Sequence, residues 1–210
     1  MGPSFNFEKQ FRELGFAIIA GVDEVGRGAI AGPIVAGAVV FSDYSKITPK
    51  IRQINDSKVL TYQQREDLSF YIQKKADDFS FGEVSVLEIN QMGIGPANIL
   101  AFKRALDGLK NCDFALIDGR RFRGFDRKFF CLEKGESKSI SIAAASIVAK
   151  VYRDHLMEKL GETMPDYLFG SNKGYGGKAH YEAIKRLGPS DHHRKDFIKW
   201  FYSSQLDIKF

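Results

Sequence analysis

The chain reads as a mixed α/β domain, and three observations predict it. Two apolar runs, 16–23 and 33–41, follow each other with only a glycine-rich turn between them, the pattern of two buried strands in direct succession. Further strand-like segments then alternate with amphipathic stretches, the order of a mixed sheet flanked by helices. At 210 residues, 44% hydrophobic and 27% charged, the chain is long enough to bury one sizeable core.

Each later element has its own signal. Thr61 followed by Gln64 is a capping box, and Leu68, Tyr71, Ile72, Ala76 and Phe79 continue from it as one apolar helix face. Residues 81–87 read as a short strand. Pro96 fits a first helical position and opens a helix to Leu109, with Ile99, Leu100, Phe102 and Leu106 apolar. A strand over 114–117 ends at Asp118-Gly119, and 129–132 reads as a fifth strand. From Ser139 an alanine-rich helix runs to about Leu160, where Ala143, Ala144, Ala145 and Ala149 allow close approach by a neighbouring element. Helices over 178–187 and 191–203 close the chain, which shows no internal repeat and no interdomain linker.

Composition excludes several classes. No run of about eighteen apolar residues occurs, so no transmembrane helix is expected. Residues 1–10 lack a basic region followed by a long apolar stretch, so no secretory signal is expected either. Cys112 and Cys131 form no CxxC pair, which argues against a disulfide framework or a thiolate zinc site and predicts a cytoplasmic protein. Net charge is +5, unevenly spread: residues 1–119 carry 13 basic and 15 acidic side chains, residues 120–210 carry 18 and 11. A basic second half suits a polyanionic partner, as it would suit an ordinary solvated surface.

The segment Gly26-Arg27-Gly28-Ala29-Ile30-Ala31 satisfies the G-x-G-x-x-A dinucleotide pattern. Gly32-Pro33 and the strand after it remove the helix that pattern requires, so a nicotinamide or flavin site is rejected. Acidic residues mark the place instead. Asp23-Glu24 ends one buried strand and Asp118 ends another. Converging desolvated carboxylates repel and would protonate unless a cation neutralises them, and oxygen donors without Cys or His favour Mg²⁺ or Mn²⁺. Pairing of Asp23 or Glu24 with Arg27, or a simple turn at Asp118-Gly119, would explain the same residues separately. Neighbours on a strand face opposite ways, so Asp23 and Glu24 share a site only if the chain bends near Gly26.

Gly21-Val22-Asp23-Glu24-Val25-Gly26-Arg27-Gly28 with Ala31-Gly32-Pro33 resembles the opening signature of type 2 ribonuclease H, the bacterial ribonuclease HII family. Asp56-Ser57-Lys58, Ile117-Asp118-Gly119, the helix from Lys138 through Lys150 to Arg153-Asp154, and Lys173-Gly174-Tyr175-Gly176 with His180 resemble further family segments in the same order, so that the similarity spans about 16–197. Val25 stands where Ala is commoner, and 92–98 departs from the family's Asn-Ile and Ala-Thr pattern.

That resemblance implies a ribonuclease H-like fold, with a mixed central sheet flanked by helices and additional C-terminal helices. It implies an endonuclease cutting the RNA strand of RNA–DNA hybrids, and DNA duplexes on the 5′ side of embedded ribonucleotides, leaving 3′-hydroxyl and 5′-phosphate ends. The catalytic and metal-binding acids it implies are Asp23, Glu24, Asp118 and Asp154, holding two Mg²⁺ or Mn²⁺ ions with Asp23 bridging. Substrate contacts fall to Gly26, Arg27, Gly28, Lys58, Lys173 and Tyr175, the glycine turn and Tyr175 reading the 2′-hydroxyl and the adjoining sugar.

Lys138, Lys150 and Lys178 are further candidates for phosphate contacts, with an ion pair to Asp154 as the competing reading for Lys150. His180 is a weaker phosphate candidate and otherwise a surface residue. Residues 1–204 are expected to form one catalytic domain with a C-terminal helical part. The tail 205–210 resembles a sliding-clamp-binding peptide through Gln205, Leu206, Ile208 and Phe210. A hybrid-binding module without catalysis is the competing function, and metal-dependent nicking separates the two.

Overall fold

The computed structural model describes residues 2–45, 48–120 and 122–206. Five strands, β1 (Ile19–Val25), β2 (Ile34–Val40), β3 (Asp78–Val84), β4 (Phe114–Asp118) and β5 (Phe129–Leu132), form one sheet in the order β3-β2-β1-β4-β5. The short turn after β1 forces β2 antiparallel to it, and β3 is antiparallel to β2. β4 returns through helices, which makes it parallel to β1, and β5 lies parallel to β4. Every residue of β2 is buried, because helices cover both faces of the sheet centre.

The helices are α1 (Asn6–Glu13), α2 (Tyr62–Lys75), α3 (Val86–Met92), α4 (Ile94–Asp107), α5 (Ile140–Thr163), α6 (Phe169–Asn172), α7 (Lys178–Leu187) and α8 (Lys199–Leu206). On one face, Ala20, Val22, Ala36 and Ala38 meet Ala97, Ala101, Phe102 and Ala105 of α4. On the other, Val39 packs with Ala143, Ala144, Ala145, Ile147 and Val148 of α5 and with Leu68 and Ile72 of α2. Each fully buried Val, Leu, Ile or Phe contributes roughly 1.5–3 kcal/mol. The alanines of α5 do bring a neighbour close: a Cβ at Gly37 would stand 2.6 Å from the Ala145 carbonyl oxygen, and one at Gly21 would fall inside the Ser141–Ile142 backbone.

Four boundaries differ from the sequence expectation. The helix that starts at Thr61 ends at Lys75, with Ala76 as its C-cap, and Phe79, expected on its apolar face, lies in β3. The third strand ends at Val84 instead of continuing over 81–87. Ser85 Oγ accepts the Glu88 amide while Glu88 returns to the Ser85 amide at 2.9 Å, and this capping box starts α3. Pro96 is the third residue of α4, still inside the first turn, where its missing N–H loses no helical bond. In place of a helix over 191–203 there is a 3₁₀ turn at Lys195–Ile198 followed by α8, because the chain before it is committed to other partners: Ala31 bridges to His193 and the Gly32 amide donates to the His192 carbonyl at 2.9 Å.

Helix α1 lacked an expectation. The buried Glu8 carboxylate accepts Ser139 Oγ at 2.6 Å and the Ser141 amide at 3.1 Å, fixing α1 against the start of α5, while burial raises its pKa. Of the expected clamp peptide, the backbone of Gln205 and Leu206 lies in α8, and Ile208 and Phe210 lie outside the described residues.

Candidate active site

Asp23 and Asp118 stand at one level on neighbouring parallel strands, one residue past the Val22–Ile117 pairing. The backbone bends after them, since Gly26 has φ +86° and Gly119 φ +114°, conformations that favour glycine. Asp23 and Glu24 therefore both reach one cleft of about 500 Å³, which Gly26, Arg27, Gly28, Lys58, Asp118 and Tyr175 also line.

These carboxylates cost free energy as they stand. Burial pushes the Asp23 carboxyl well above the usual range, and the nearby charges of Glu24, Asp118 and Glu136 add to it, against a hydrogen bond from Ser146. Glu24 is raised by burial and by Asp118, with Arg27 opposing at 3.7 Å. Asp118 is raised by burial, although its Oδ1 accepts the Gly135 amide at 2.5 Å and Lys58 lies near. Only a positive charge or a proton relieves such a set.

The glycine turn is held by two buried arginines, Arg153 and Arg194. Arg153 Nε donates to the Pro33 carbonyl at 2.9 Å, Nη2 to Ala31 at 3.1 Å and Nη1 to Lys173 at 2.8 Å. Arg194 donates to Gly26 at 2.7 Å, Arg27 at 3.1 Å and Gly32 at 2.8 Å. Between them they join the turn to the Lys173–Tyr175 loop, where the Ala31 amide also donates to the Gly174 carbonyl at 3.1 Å.

The remaining expected residues divide. Tyr175 lines the cleft and is partly exposed, with the Arg153 guanidinium 5.4 Å from its ring centre. Lys58 lines the cleft, but its ammonium is paired with Glu136 at 2.7 Å. Asp154 is buried and does not line the cleft; Lys150 does, and its Nζ holds Asp154 Oδ1 at 2.7 Å, so the ion pair expected as the competing reading is present. The Lys173 ammonium turns away to Glu158 at 2.7 Å. Lys138 and Lys178 are exposed and line neither this cleft nor the groove beside it.

His180 is buried, contrary to its reading as a surface residue. Its Nε2 meets His193 Nε2 at 3.0 Å, and its Nδ1 meets the Tyr175 carbonyl at 2.8 Å. Nothing in the sequence points to Glu136, which sits beside Asp23 and accepts both Lys58 and Ser146 Oγ (3.3 Å), or to Arg65 and Asn98; Ser57, part of the Asp56-Ser57-Lys58 segment, also lines the cleft. A Glu shortly after a glycine carries no chemical signal until the fold sets the Gly135 amide on Asp118 and Glu136 near Asp23.

Among the described residues, no three Asp, Glu, His or Cys side chains already form a metal-ligand group. The donor set nevertheless fits hard divalent cations: it is all oxygen, its members raise one another's pKa values, and it opens on a cleft.

The sheet and its acidic strand ends fall in the ribonuclease H class. The fold is similar to ribonuclease H2 from Pyrococcus horikoshii OT3, at TM-score 0.73 and 27% identity over 89% of this chain and 98% of that one. It is also similar to the ribonuclease HII of the PCNA:RNase HII complex from Archaeoglobus fulgidus, at TM-score 0.71 and 25% identity over 84% and 93%. Residues 20–203 match the family model described as Ribonuclease HII. Curated relatives with that name include those of Chloroherpeton thalassium, 47% identical over 87% of this chain and 90% of its own, and of Clostridioides difficile, 44% identical over 92% and 74%. The chain belongs to the ribonuclease HII family.

Proposed function

We propose that the chain is a type 2 ribonuclease H. It hydrolyses the RNA strand of RNA–DNA hybrids and nicks DNA duplexes on the 5′ side of embedded ribonucleotides, leaving 3′-hydroxyl and 5′-phosphate ends. The observation that carries this reading is the Asp23–Asp118 pair, Asp23 buried and Asp118 half-buried, with the charge of Asp118 raising the Asp23 pKa, beside a glycine turn built into the cleft.

Asp23, Glu24, Asp118 and Asp154 would hold two Mg²⁺ or Mn²⁺ ions. Bound divalent cations supply a water of lowered pKa and offset charge on the phosphoryl and leaving oxygens. For Asp154 to join the set, its carboxylate must exchange the Lys150 ammonium for a cation. A Cβ at Gly28 would meet nothing within 4 Å, so its backbone is free to approach a sugar. Gly26, Arg27 and Gly28 then read the 2′-hydroxyl, Tyr175 stacks on the adjoining deoxyribose, and Lys58 and Lys173 contact phosphates, Lys173 after leaving Glu158. The exposed Arg27 side chain reaches solvent while its backbone is pinned by Arg194.

We read residues 1–204 as one catalytic domain acting in the cytoplasm; among the described residues no helix is long and apolar enough to cross a membrane. We further propose that Gln205, Leu206, Ile208 and Phe210 bind a sliding clamp, as the Archaeoglobus fulgidus relative is found with PCNA. Deleting 205–210 is expected to abolish clamp pull-down and leave nicking intact; unchanged pull-down disposes of that role.

The central test is a DNA duplex holding one ribonucleotide, incubated with Mg²⁺, Mn²⁺ or EDTA. Nicking is expected with either metal and not with EDTA. Asp23→Asn and Asp118→Asn are expected to abolish nicking while the duplex remains bound; undiminished turnover by either would sink the assignment.

A further inference from the structure

A second groove, of about 640 Å³, opens beside the active cleft and shares Glu24, Arg27 and Asp118 with it. One wall is the start of α4, with Pro96, Asn98 and Ile99; the other is the loop between β4 and β5, with Gly119, Arg120 and Phe122. Any strand seated on Asp23 and Asp118 must leave the cleft, and this groove is continuous with it. Its lining suits a nucleic-acid backbone: apolar surface for sugar faces, a basic side chain at the rim, and no acid beyond the two it shares with the active cleft.

The described part of the loop is charged and is anchored through Phe122, Phe125, Asp126 and Arg127. Phe122 packs on Phe102 and Phe129, with ring centres 5.8 and 4.9 Å apart, and Phe125 packs on Phe129 at 5.2 Å. Lys103 pairs with Asp126 at 3.2 Å, and Arg127 with Asp107, tying the loop to α4. Arg120 and Arg123 stay uncommitted. Arg123 is exposed and has no acidic partner among the described residues, and Arg120 meets Glu133 only at 3.5 Å between two largely exposed side chains. An ion pair between side chains this exposed contributes little, so a phosphate displaces it readily. Phe122 and Phe125 are packed on α4 and β5, so backbone contacts beside them are made with little loss of conformational entropy.

We propose that this groove seats the duplex strand running out of the active cleft, with Arg120, which lines it, on its phosphates and Arg123, exposed on the same loop just outside the lining, on the backbone beyond. The inference rests on the ribonuclease reading and adds to it the side of the protein along which the duplex arm lies. These contacts position the duplex and carry no sequence information.

The test is steady-state nicking, with Mg²⁺, of a long duplex holding one ribonucleotide, by the wild type and by Arg120→Ala/Arg123→Ala. The double variant is expected to raise KM about fivefold or more and to lower the log–log salt slope of duplex binding by about 1–2. Shortening one arm of the duplex, and not the other, should erase the difference between variant and wild type. Equal KM and salt slope for the two proteins overturn the inference, as does a loss confined to kcat or one independent of arm length. A wild type inactive on every duplex would overturn the ribonuclease reading itself, and this inference with it.

Discussion

Arg194 donates a hydrogen bond of 2.7 Å to the carbonyl oxygen of Gly26, across 168 residues of sequence. The guanidinium is buried and its hydrogen-bond partners are all carbonyl oxygens, with the Phe197 ring centre 5.7 Å away, so backbone dipoles and a ring face compensate the charge without a carboxylate. Burial, with repulsion from Arg153 second, pulls its pKa down to about 9. The fork of donors fixes both ends of the turn that carries Arg27.

Arg194→Met is expected to leave the Arg27 and Gly32 carbonyls without donors, at roughly 1–3 kcal/mol each, while the Gly26 carbonyl keeps the Ala29 amide at 3.2 Å. A urea titration should show at least about 2 kcal/mol of lost stability. A loss below about 1 kcal/mol would mean the turn holds itself.

Gly21 and Gly28 should separate packing from recognition. Gly21→Ala drives a Cβ into the Ser141–Ile142 backbone, which cannot swing aside, so β1 and α5 must part. The expected cost is about 2 kcal/mol or more in a denaturant titration. Gly28→Ala meets nothing in the free protein and should leave stability alone, yet lower activity on an embedded ribonucleotide about tenfold or more where the new methyl stands between backbone and sugar. Full activity in Gly28→Ala would show that the sugar does not approach there.

Tyr175→Phe and Arg27→Ala are expected to weaken discrimination between one ribonucleotide and none more than they weaken duplex binding. Competition binding beside nicking kinetics measures both. Equal losses in the two would refute a reading role for these side chains.

The His180–His193 pair makes the protein acid-labile. One tautomer satisfies every contact: His180 Nδ1 donates to the Tyr175 carbonyl, His193 Nε2 donates to His180 Nε2, and His193 Nδ1 accepts the Ser190 amide at 2.9 Å. Both rings are then neutral. Burial first, and His180 second, lower the His193 pKa from 6.5 to about 4. Over that interval the unfolded chain takes up a proton that the folded chain refuses, so stability falls as pH drops from about 6.5 towards 4. Urea midpoints at several pH values should show it, with a shallower fall in His193→Gln. Identical slopes in the two proteins would remove the pair from the account.

Some of this molecule was written locally. The box at Thr61 and Gln64, the fifth strand, the alanine face of α5 and the acids ending two apolar strands follow from periodicity, capping chemistry and the cost of burying charge, all of which act within a few residues. Even the bend that lets Asp23 and Glu24 share a cleft was implied by Gly26. The sequence also carried the family motifs in order. Tertiary structure decided what those motifs lean on. Arg153 and Arg194 resemble surface cations until the fold closes over them, His180 resembles a surface histidine until His193 arrives, and Glu136 is unremarkable until it stands beside Asp23. Local preference fixes which way a backbone runs, whereas the partner of a buried charge is whatever the packed layers place within about 3 Å of it, a distance set by contacts across the whole chain.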